Sequence, residues 1–505
     1  MGYLRQQVRA VLEAAPEAGA IQFKGQWHTW GEVGGIVDGL EAVFDRLGLG
    51  EGAAIGCVLR NWPEHAAAMI GVVSAGRCLV TLNALLPDEK LAAGIASARP
   101  PAIIAHARDW ERGALRQAAA AQGAAAIRLT GEAGRPVDLV PGLDTVGPGP
   151  HHVPPPLTAI LMLTSGTTGT PKRVPLLMSV LERQLIEAAG GERPADAPIP
   201  APGAPSIMHG SFVHIGGVWG VLGSAMGGRS MCLLEKFNVP EWRAAVLEHR
   251  PVSGGAPPAA LRMILDADIP AEELSSLKTL GAGTAPLDSS IVDEFLARYD
   301  IPVLSNYGAT EFAGGVASWS LRAFRQYWGV KRGAVGRIHK SIEARVVDPA
   351  TGEIVPFGEE GILELKGFAV AQDDSWVRTT DRAVLDEDRF LWIRGRADNA
   401  IIRGGFKVHP DEVVDVLQQH PAVREASVVG IADRRLGHAP VAAVILKAGA
   451  AAPSEAELAA WVRSKLMAYC VPVAFRFVDD LPRTPSLKVS TPAVRELFET
   501  AASEA

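Results

Sequence analysis

Leu163-Thr-Ser-Gly-Thr-Thr-Gly-Thr-Pro-Lys-Arg-Val174 joins an apolar run, Thr158 to Leu163, to a turn of glycines, hydroxyls and one lysine. The run has strand length and is nearly free of polar side chains, so it predicts a buried strand. The turn has the chemistry of a phosphate cradle. Glycine lets backbone approach closely, N–H groups and hydroxyls donate to phosphate oxygens, and Lys172 brings a mobile positive charge. The segment is not a Walker A loop: Pro171 stands where that motif needs its second glycine, and Arg173 follows Lys172 in place of Ser or Thr. A flexible polar surface loop would have the same composition.

Upstream, Ala53 to Leu59 reads as a strand, Glu64 to Ser74 as a helix and Cys78 to Thr81 as a strand, an alternation that predicts α/β layers. An Ala-rich stretch, Trp110 to Ala126, reads as a helix, and Gly147 to Pro156, with three consecutive prolines, as a loop. Gly190 to Pro205, rich in Pro, Ala and Gly, is a predicted surface loop. From Ile342 onward short strands take over, Ala344 to Val347 and Gly361 to Lys366 with a Pro349 to Gly352 turn between them, which predicts an all-β subdomain. Beyond Asp398 the pattern changes again, to helices Asp411 to Gln419 and Glu455 to Tyr469 interleaved with strands Ala426 to Ile431 and Val441 to Leu446. A domain boundary is therefore expected at 397/398.

At 505 residues the chain exceeds what one ordinary core supports. A 48% hydrophobic and 21% charged composition with net charge −7 is that of a globular protein with no basic stripe for nucleic acid. Cys57, Cys78, Cys232 and Cys470 lie far apart with neither metal-ligand spacing nor a disulfide pattern, which fits a reducing cytoplasm. Met1 to Gly19 reads as an amphipathic helix without a signal-peptide core, and no apolar run has spanning length. Hydrolase, metalloprotease and dinucleotide motifs (G-x-S-x-G, H-E-x-x-H, G-x-G-x-x-G after a strand) are absent from the sequence.

Thr164 to Lys172 closely resembles the phosphate-binding loop of the adenylate-forming superfamily: acyl-CoA ligases, non-ribosomal peptide adenylation domains and beetle luciferases. The resemblance assigns ATP phosphate contacts to Thr164, Ser165, Gly166, Thr167, Thr168, Gly169 and Lys172. It extends to Asn306-Tyr-Gly-Ala-Thr-Glu311, similar to the family's N-Y-G-x-T-E. There it implies adenine contact by Asn306, Tyr307 and Gly308, phosphate contact by Thr310 and magnesium on Glu311; an aromatic face and a hard carboxylate suit those roles. Gly281 to Leu287 resembles G-G-A-P and would lay Gly283, Thr284 and Ala285 against adenine, although alone it is merely a turn.

Trp376 to Asp381 is similar to G-W-x-x-T-G-D, which implies that Asp381 holds the ribose hydroxyls. Phe390 to Pro410 matches the family's long signature almost continuously, placing Arg396 near the ribose, Asp398 at an interdomain hinge and Gly404 and Gly405 on the pantetheine tunnel. Leu481 to Lys488 resembles L-P-[RK]-T-x-S-G-K, which makes Lys488 the catalytic lysine together with Glu311. Ser211 to Gly217 resembles P-L-F-H-x-x-G and puts His214 and Gly217 in the acyl pocket, where a satisfied core histidine is the plain alternative.

The resemblance spans about Gln22 to Lys488 and implies an α/β fold: a large N-terminal domain of layered α/β subdomains plus a β-subdomain (1–397), and a small mobile α+β C-terminal domain (398–505). It implies a carboxylate–CoA ligase using ATP, Mg²⁺ and CoA on a small carboxylic acid, with no nucleic acid or membrane span, in the cytoplasm; a homodimer is a family-level expectation. Loading of a carrier-protein thiol and a non-catalytic nucleotide-binding relative are the alternatives. Arg173, Thr380 and Leu487 stand where the family has glycine, and the segment 367–376 is short. An apolar, Gly-rich pocket segment with His214 and Trp219 mildly favours an aromatic or alicyclic acid over an amino acid, with fatty and steroid-derived acids equally allowed.

Overall fold

A computed structural model describes residues 2–132, 134–164, 172–194, 197–199, 203–368, 370, 375–433, 435–484 and 487–502. The chain packs as two compact units, Met1–Val316 and Ala317–Ala505.

The first unit contains the expected α/β layers. Its seven-stranded sheet runs in the order Val137–Leu139, Ala125–Leu129, Ala102–His106, Ala54–Leu59, Cys78–Asn83, Thr158–Thr164, Lys172–Leu177. The five inner strands are parallel and the two outer ones antiparallel. Ala54–Leu59 is buried at every residue, as its continuous apolar run requires of a parallel strand covered on both faces. From it the chain first passes to Cys78–Asn83 on one side and then crosses to Ala102–His106 on the other. Ala54–Leu59 is therefore a topological switch point, and the loop at its carboxyl end, Arg60-Asn61-Trp62, lies where open α/β sheets place ligands.

Helix Tyr3–Ala14 is amphipathic as predicted, burying Leu4, Val8, Val11 and Leu12. The Ala-rich stretch differs from expectation. It is helical only from Gly113 to Ala121, and Ala125–Leu129 is a buried strand. Gly123, with φ 63°, ends the helix, after which alanine's helix propensity yields to burial inside a sheet. A smaller four-stranded sheet, Ser206–Met208, Met231–Leu233, Gly19–Phe23 and Gln26–Thr29 in that order, and the parallel strands Ser253–Gly255, Thr279–Ala282 and Val303–Ala309 complete the unit.

In the second unit, Gly336–Ile338, Phe390–Arg396, Val377–Leu385, Glu360–Lys366 and Glu343–Val347 form antiparallel neighbours, the all-β layer expected from Ile342 onward. A short turn, Ala397–Asn399, separates this layer from an α+β body. There Val423–Asp433 and Gly437–Leu446 pair over their whole length, and helices Pro410–Gln418 and Glu455–Arg463 cover the core. The second helix is shorter than predicted: past Ser464 the chain turns, and Cys470 and Val471 enter the core from a separate 3₁₀ turn, Ala468–Cys470. The predicted boundary at 397/398 falls on the turn between these layers. No helix among the described residues is long and apolar enough to cross a membrane.

Candidate functional site

In the first unit, parallel strands Thr279–Ala282 and Val303–Ala309 are in register, Ala282 beside Ser305, so their carboxyl ends bring Gly283, Thr284 and Ala285 next to Asn306, Tyr307 and Gly308. Two regions predicted to meet adenine thus lie together. The approach is close: a Cβ on Gly283 would stand 3.3 Å from the Asn306 carbonyl oxygen. Thr284 has φ 72°, a left-handed conformation that a β-branched residue adopts only at a cost of about 1–3 kcal/mol, and such strain gathers at functional sites. Gly308 is more tightly enclosed, since its Cβ would lie 2.2 Å from the Gly314 carbonyl oxygen.

The chain then forms the 3₁₀ turn Thr310–Phe312, anchored by buried Phe312 and leaving Glu311 exposed. Strand Lys172–Leu177 packs beside this turn. Thr164 and Lys172 face each other in register at the ends of paired strands, while Ser165, Gly166, Thr167, Thr168 and Gly169 lie outside the described residues. Among the described residues no group of three or more His, Cys, Asp or Glu side chains could cage a metal. An exposed carboxylate beside the strand that carries Lys172 suits Mg²⁺, which commonly takes one or two protein oxygens and completes its shell with phosphates and water.

The predicted acyl segment also lies in the first unit. His214 is the N-cap residue of helix Ile215–Gly227 and is half-buried. Its N–H donates to the Ser211 carbonyl at 3.0 Å, and the Gly217 N–H donates to the His214 carbonyl at 3.0 Å. Gly217 is obligatory, because a Cβ would stand 2.3 Å from the Ser211 oxygen. In the same helix the buried Trp219 Nε1–H has no hydrogen-bond partner among the described residues.

In the second unit, Asp381 and Arg396 are cross-strand partners on Val377–Leu385 and Phe390–Arg396, which brings the two predicted ribose contacts together. The Arg396 guanidinium donates to both Asp398 oxygens at 3.0 Å and to the Thr380 hydroxyl at 2.5 Å. Thr380, which stands where the family has glycine, is thus an acceptor that helps hold Arg396. Gly404 and Gly405, with φ 57° and 88°, form the bend between Ile401–Arg403 and Phe406–Val408.

Lys488 sits on a turn pinned at its base. The Arg483 guanidinium donates to both Glu425 oxygens, and the Thr484 N–H donates to the Lys488 carbonyl at 2.8 Å. The Lys488 side chain keeps a solvent-accessible surface, yet desolvation by surrounding protein lowers its ammonium pKa from the ordinary value. It therefore gives up its proton more readily than a free lysine. Leu487 has φ 61°, so the turn keeps a glycine-type conformation although leucine occupies it. The Arg173 guanidinium donates to the Gly94 carbonyl at 3.1 Å, and burial lowers its pKa.

Two features were not legible in the sequence. Asn61 is buried and bonds to backbone far along the chain. Arg382 pairs with Glu360 and with Glu412, tying helix Pro410–Gln418 to the β-layer beside the turn that carries Asp398. An isolated Asn or Arg carries no pattern that announces such partners.

The fold is that of adenylate-forming enzymes. ATP-bound MatB from Rhodopseudomonas palustris superposes with a TM-score of 0.80 at 23% identity, covering 98% of this chain and 99% of that one. Residues 8–373 match the AMP-binding enzyme model and residues 412–488 the AMP-binding enzyme C-terminal domain model, so the chain belongs to the AMP-binding enzyme family. It is 26% identical to 4-coumarate–CoA ligase 3 of Oryza sativa subsp. japonica, over 92% of this chain and 86% of that protein. It is 29% identical to the fatty acid–[acyl-carrier-protein] ligase ScoC of Streptomyces coeruleorubidus, over 70% of each.

Proposed function

We propose that the protein is an ATP-dependent carboxylate–CoA ligase. One observation supports this most: a single unit joins a glycine-tight turn at Gly283, the aromatic Tyr307 and the exposed Glu311 to the strand that carries Lys172. That is the set needed to hold an adenine, a polyphosphate and its metal.

In the first half-reaction a carboxylate oxygen attacks the α-phosphorus of ATP in line; a C–O–P bond forms, the bond to the β-phosphate oxygen breaks, and pyrophosphate leaves. Thr164, Ser165, Gly166, Thr167, Thr168, Gly169, Lys172 and Thr310 bind the phosphates. Gly283, Thr284, Ala285, Asn306, Tyr307 and Gly308 receive the adenine, and Asp381 and Arg396 the ribose. Glu311 would hold Mg²⁺, and the bound ion would supply positive charge against the departing pyrophosphate. Lys488 neutralises the crowded carboxylate and α-phosphate oxygens; losing one such preorganised charge typically costs about 10²–10³-fold in rate. In the second half-reaction a thiolate attacks the acyl carbon and AMP leaves. Asp398 is the hinge between a domain of residues 1–397 and one of 398–505, and Gly404 and Gly405 admit the pantetheine arm. His214 and Gly217 border the acid.

The relative that loads an acyl carrier protein supports a second reading, transfer to a carrier-protein thiol. The deciding experiment measures pyrophosphate release from ATP and Mg²⁺ across aromatic, fatty, steroid-derived and amino acids, with CoA, with a pantetheinylated carrier protein and with neither. An acyl-CoA product supports the ligase, and a thioester on the carrier protein alone supports the second reading. Acyl-AMP formation that survives Lys488→Ala would sink the catalytic assignment.

A further inference from the structure

The loop at the switch point of the seven-stranded sheet carries one polar side chain that reaches the acyl segment. Asn61 is 5% exposed. Its Nδ2 group donates to the carbonyls of Gly210 at 3.1 Å, His209 at 3.3 Å and Leu234 at 3.3 Å, and its Oδ1 accepts from the Phe212 N–H at 3.1 Å. Only one amide orientation satisfies these partners, since the flipped group would set its NH₂ against an N–H and its oxygen against three carbonyls. The partners lie about 150 to 170 residues away in sequence, so no local turn explains them.

What Asn61 grips is the lead-in to His214. The Leu234 N–H holds the Met208 carbonyl at 2.7 Å, and the His209 ring meets the Gly255 carbonyl at 2.8 Å through Nε2. Burial lowers the pKa of His209, and because a carbonyl oxygen can only accept, Nε2 carries the hydrogen of this bond. Next in the chain, the carbonyls of Gly210 and Ser211 press on the first turn of helix Ile215–Gly227 at distances that leave Gly217 no room for a Cβ, 2.8 and 2.3 Å. A shift of residues 209–212 is therefore passed directly to His214 and Gly217. The Ala256 N–H meanwhile donates to the Gly281 carbonyl at 2.9 Å, so the same stretch is tied at its other side to the adenine turn, by bonds that do not involve Asn61.

We infer that Asn61 is a positioning residue for the carboxylic acid: it fixes the backbone that presents His214 and Gly217, and acts on acid binding while leaving nucleotide binding alone. The inference rests on the ligase reading and on the acyl segment within it. It is tested with an acid that the wild-type protein activates, by titrating acid and ATP separately against Asn61→Ala and Asn61→Asp. Neither variant can make the full set of bonds: alanine makes none, and aspartate turns carboxylate oxygen toward three carbonyls.

The expected result is a loss of kcat/KM for the acid on the order of 10²-fold, as displacement by about an ångström produces, with KM for ATP within about twofold of wild type. A purely structural role would lower the unfolding midpoint and the active fraction, reducing kcat in both titrations with both KM values unchanged, and would overturn the inference. Hydrogen exchange on the wild-type protein is independent of whether the variants fold: the amides of residues 209–214 should gain protection with the acyl-adenylate and not with AMP alone. Equal protection by AMP would also overturn it. A wild-type protein that releases no pyrophosphate with any acid would instead refute the ligase reading itself.

Discussion

Gly308→Ala puts the geometry of the nucleotide turn to the sharpest test. The added methyl would stand 2.2 Å from the Gly314 carbonyl oxygen and 2.9 Å from Gly315 Cα, whereas ordinary contact begins near 3.4 Å. Both obstacles are backbone, so the chain must open by about an ångström between Val303–Ala309 and Gly314–Ser318. That displacement falls between Tyr307 and Glu311. Overpacking of this kind costs about 1–3 kcal/mol of stability, and an ångström of misplacement costs about 10²-fold in catalysis.

Gly314→Ala is the matched control. Its Cβ would meet the Gln184 side-chain amide at 2.9 Å, and an amide can rotate aside where a peptide cannot. Pyrophosphate release at varied ATP, with thermal unfolding on the same samples, separates the two. The expected result is a drop of about two orders of magnitude in kcat/KM for ATP in Gly308→Ala and a change of less than about tenfold in Gly314→Ala. If Gly308→Ala keeps kcat/KM within about threefold of wild type, the reasoning from this turn to nucleotide binding is wrong.

The lowered pKa of Lys488 gives a pH signature with two opposite signs. As pH rises through its folded value, below 10.5, acyl-adenylate formation should fall because the required cation is lost. Over the same window the unfolded chain binds more protons than the folded one, so the lysine's contribution to stability should rise; a pH profile unchanged in Lys488→Ala would refute the first part. Leu487→Gly should leave adenylation within about threefold of wild type, because the turn already has glycine geometry, while Leu487→Val, β-branched at positive φ, should destabilise it by about 1–3 kcal/mol. All four cysteines are buried, with burial pushing Cys78 up to about 12 and Cys232 to about 11. Native protein should therefore react slowly with an aromatic disulfide at pH 8 and release all four thiols only on denaturation; fast native reaction would contradict that burial.

The sequence alone determined what depends on local chemistry and period. The apolar run Ala53 to Leu59 read as a strand, and the order of segments from Thr164 to Lys488 carried the family resemblance. Tertiary structure decided the rest, for reasons of physics rather than of detail. Helix propensity along Trp110 to Ala126 lost to the area that Ala125–Leu129 buries as a strand. Leu487 kept a glycine's backbone because the bonds around it fix the turn. Asn61 acquired its partners only when the sheet's switch point met the strands around Leu234. Hydrogen bonds between residues so far apart leave no trace in local pattern, since either end alone is an ordinary polar side chain or an ordinary peptide.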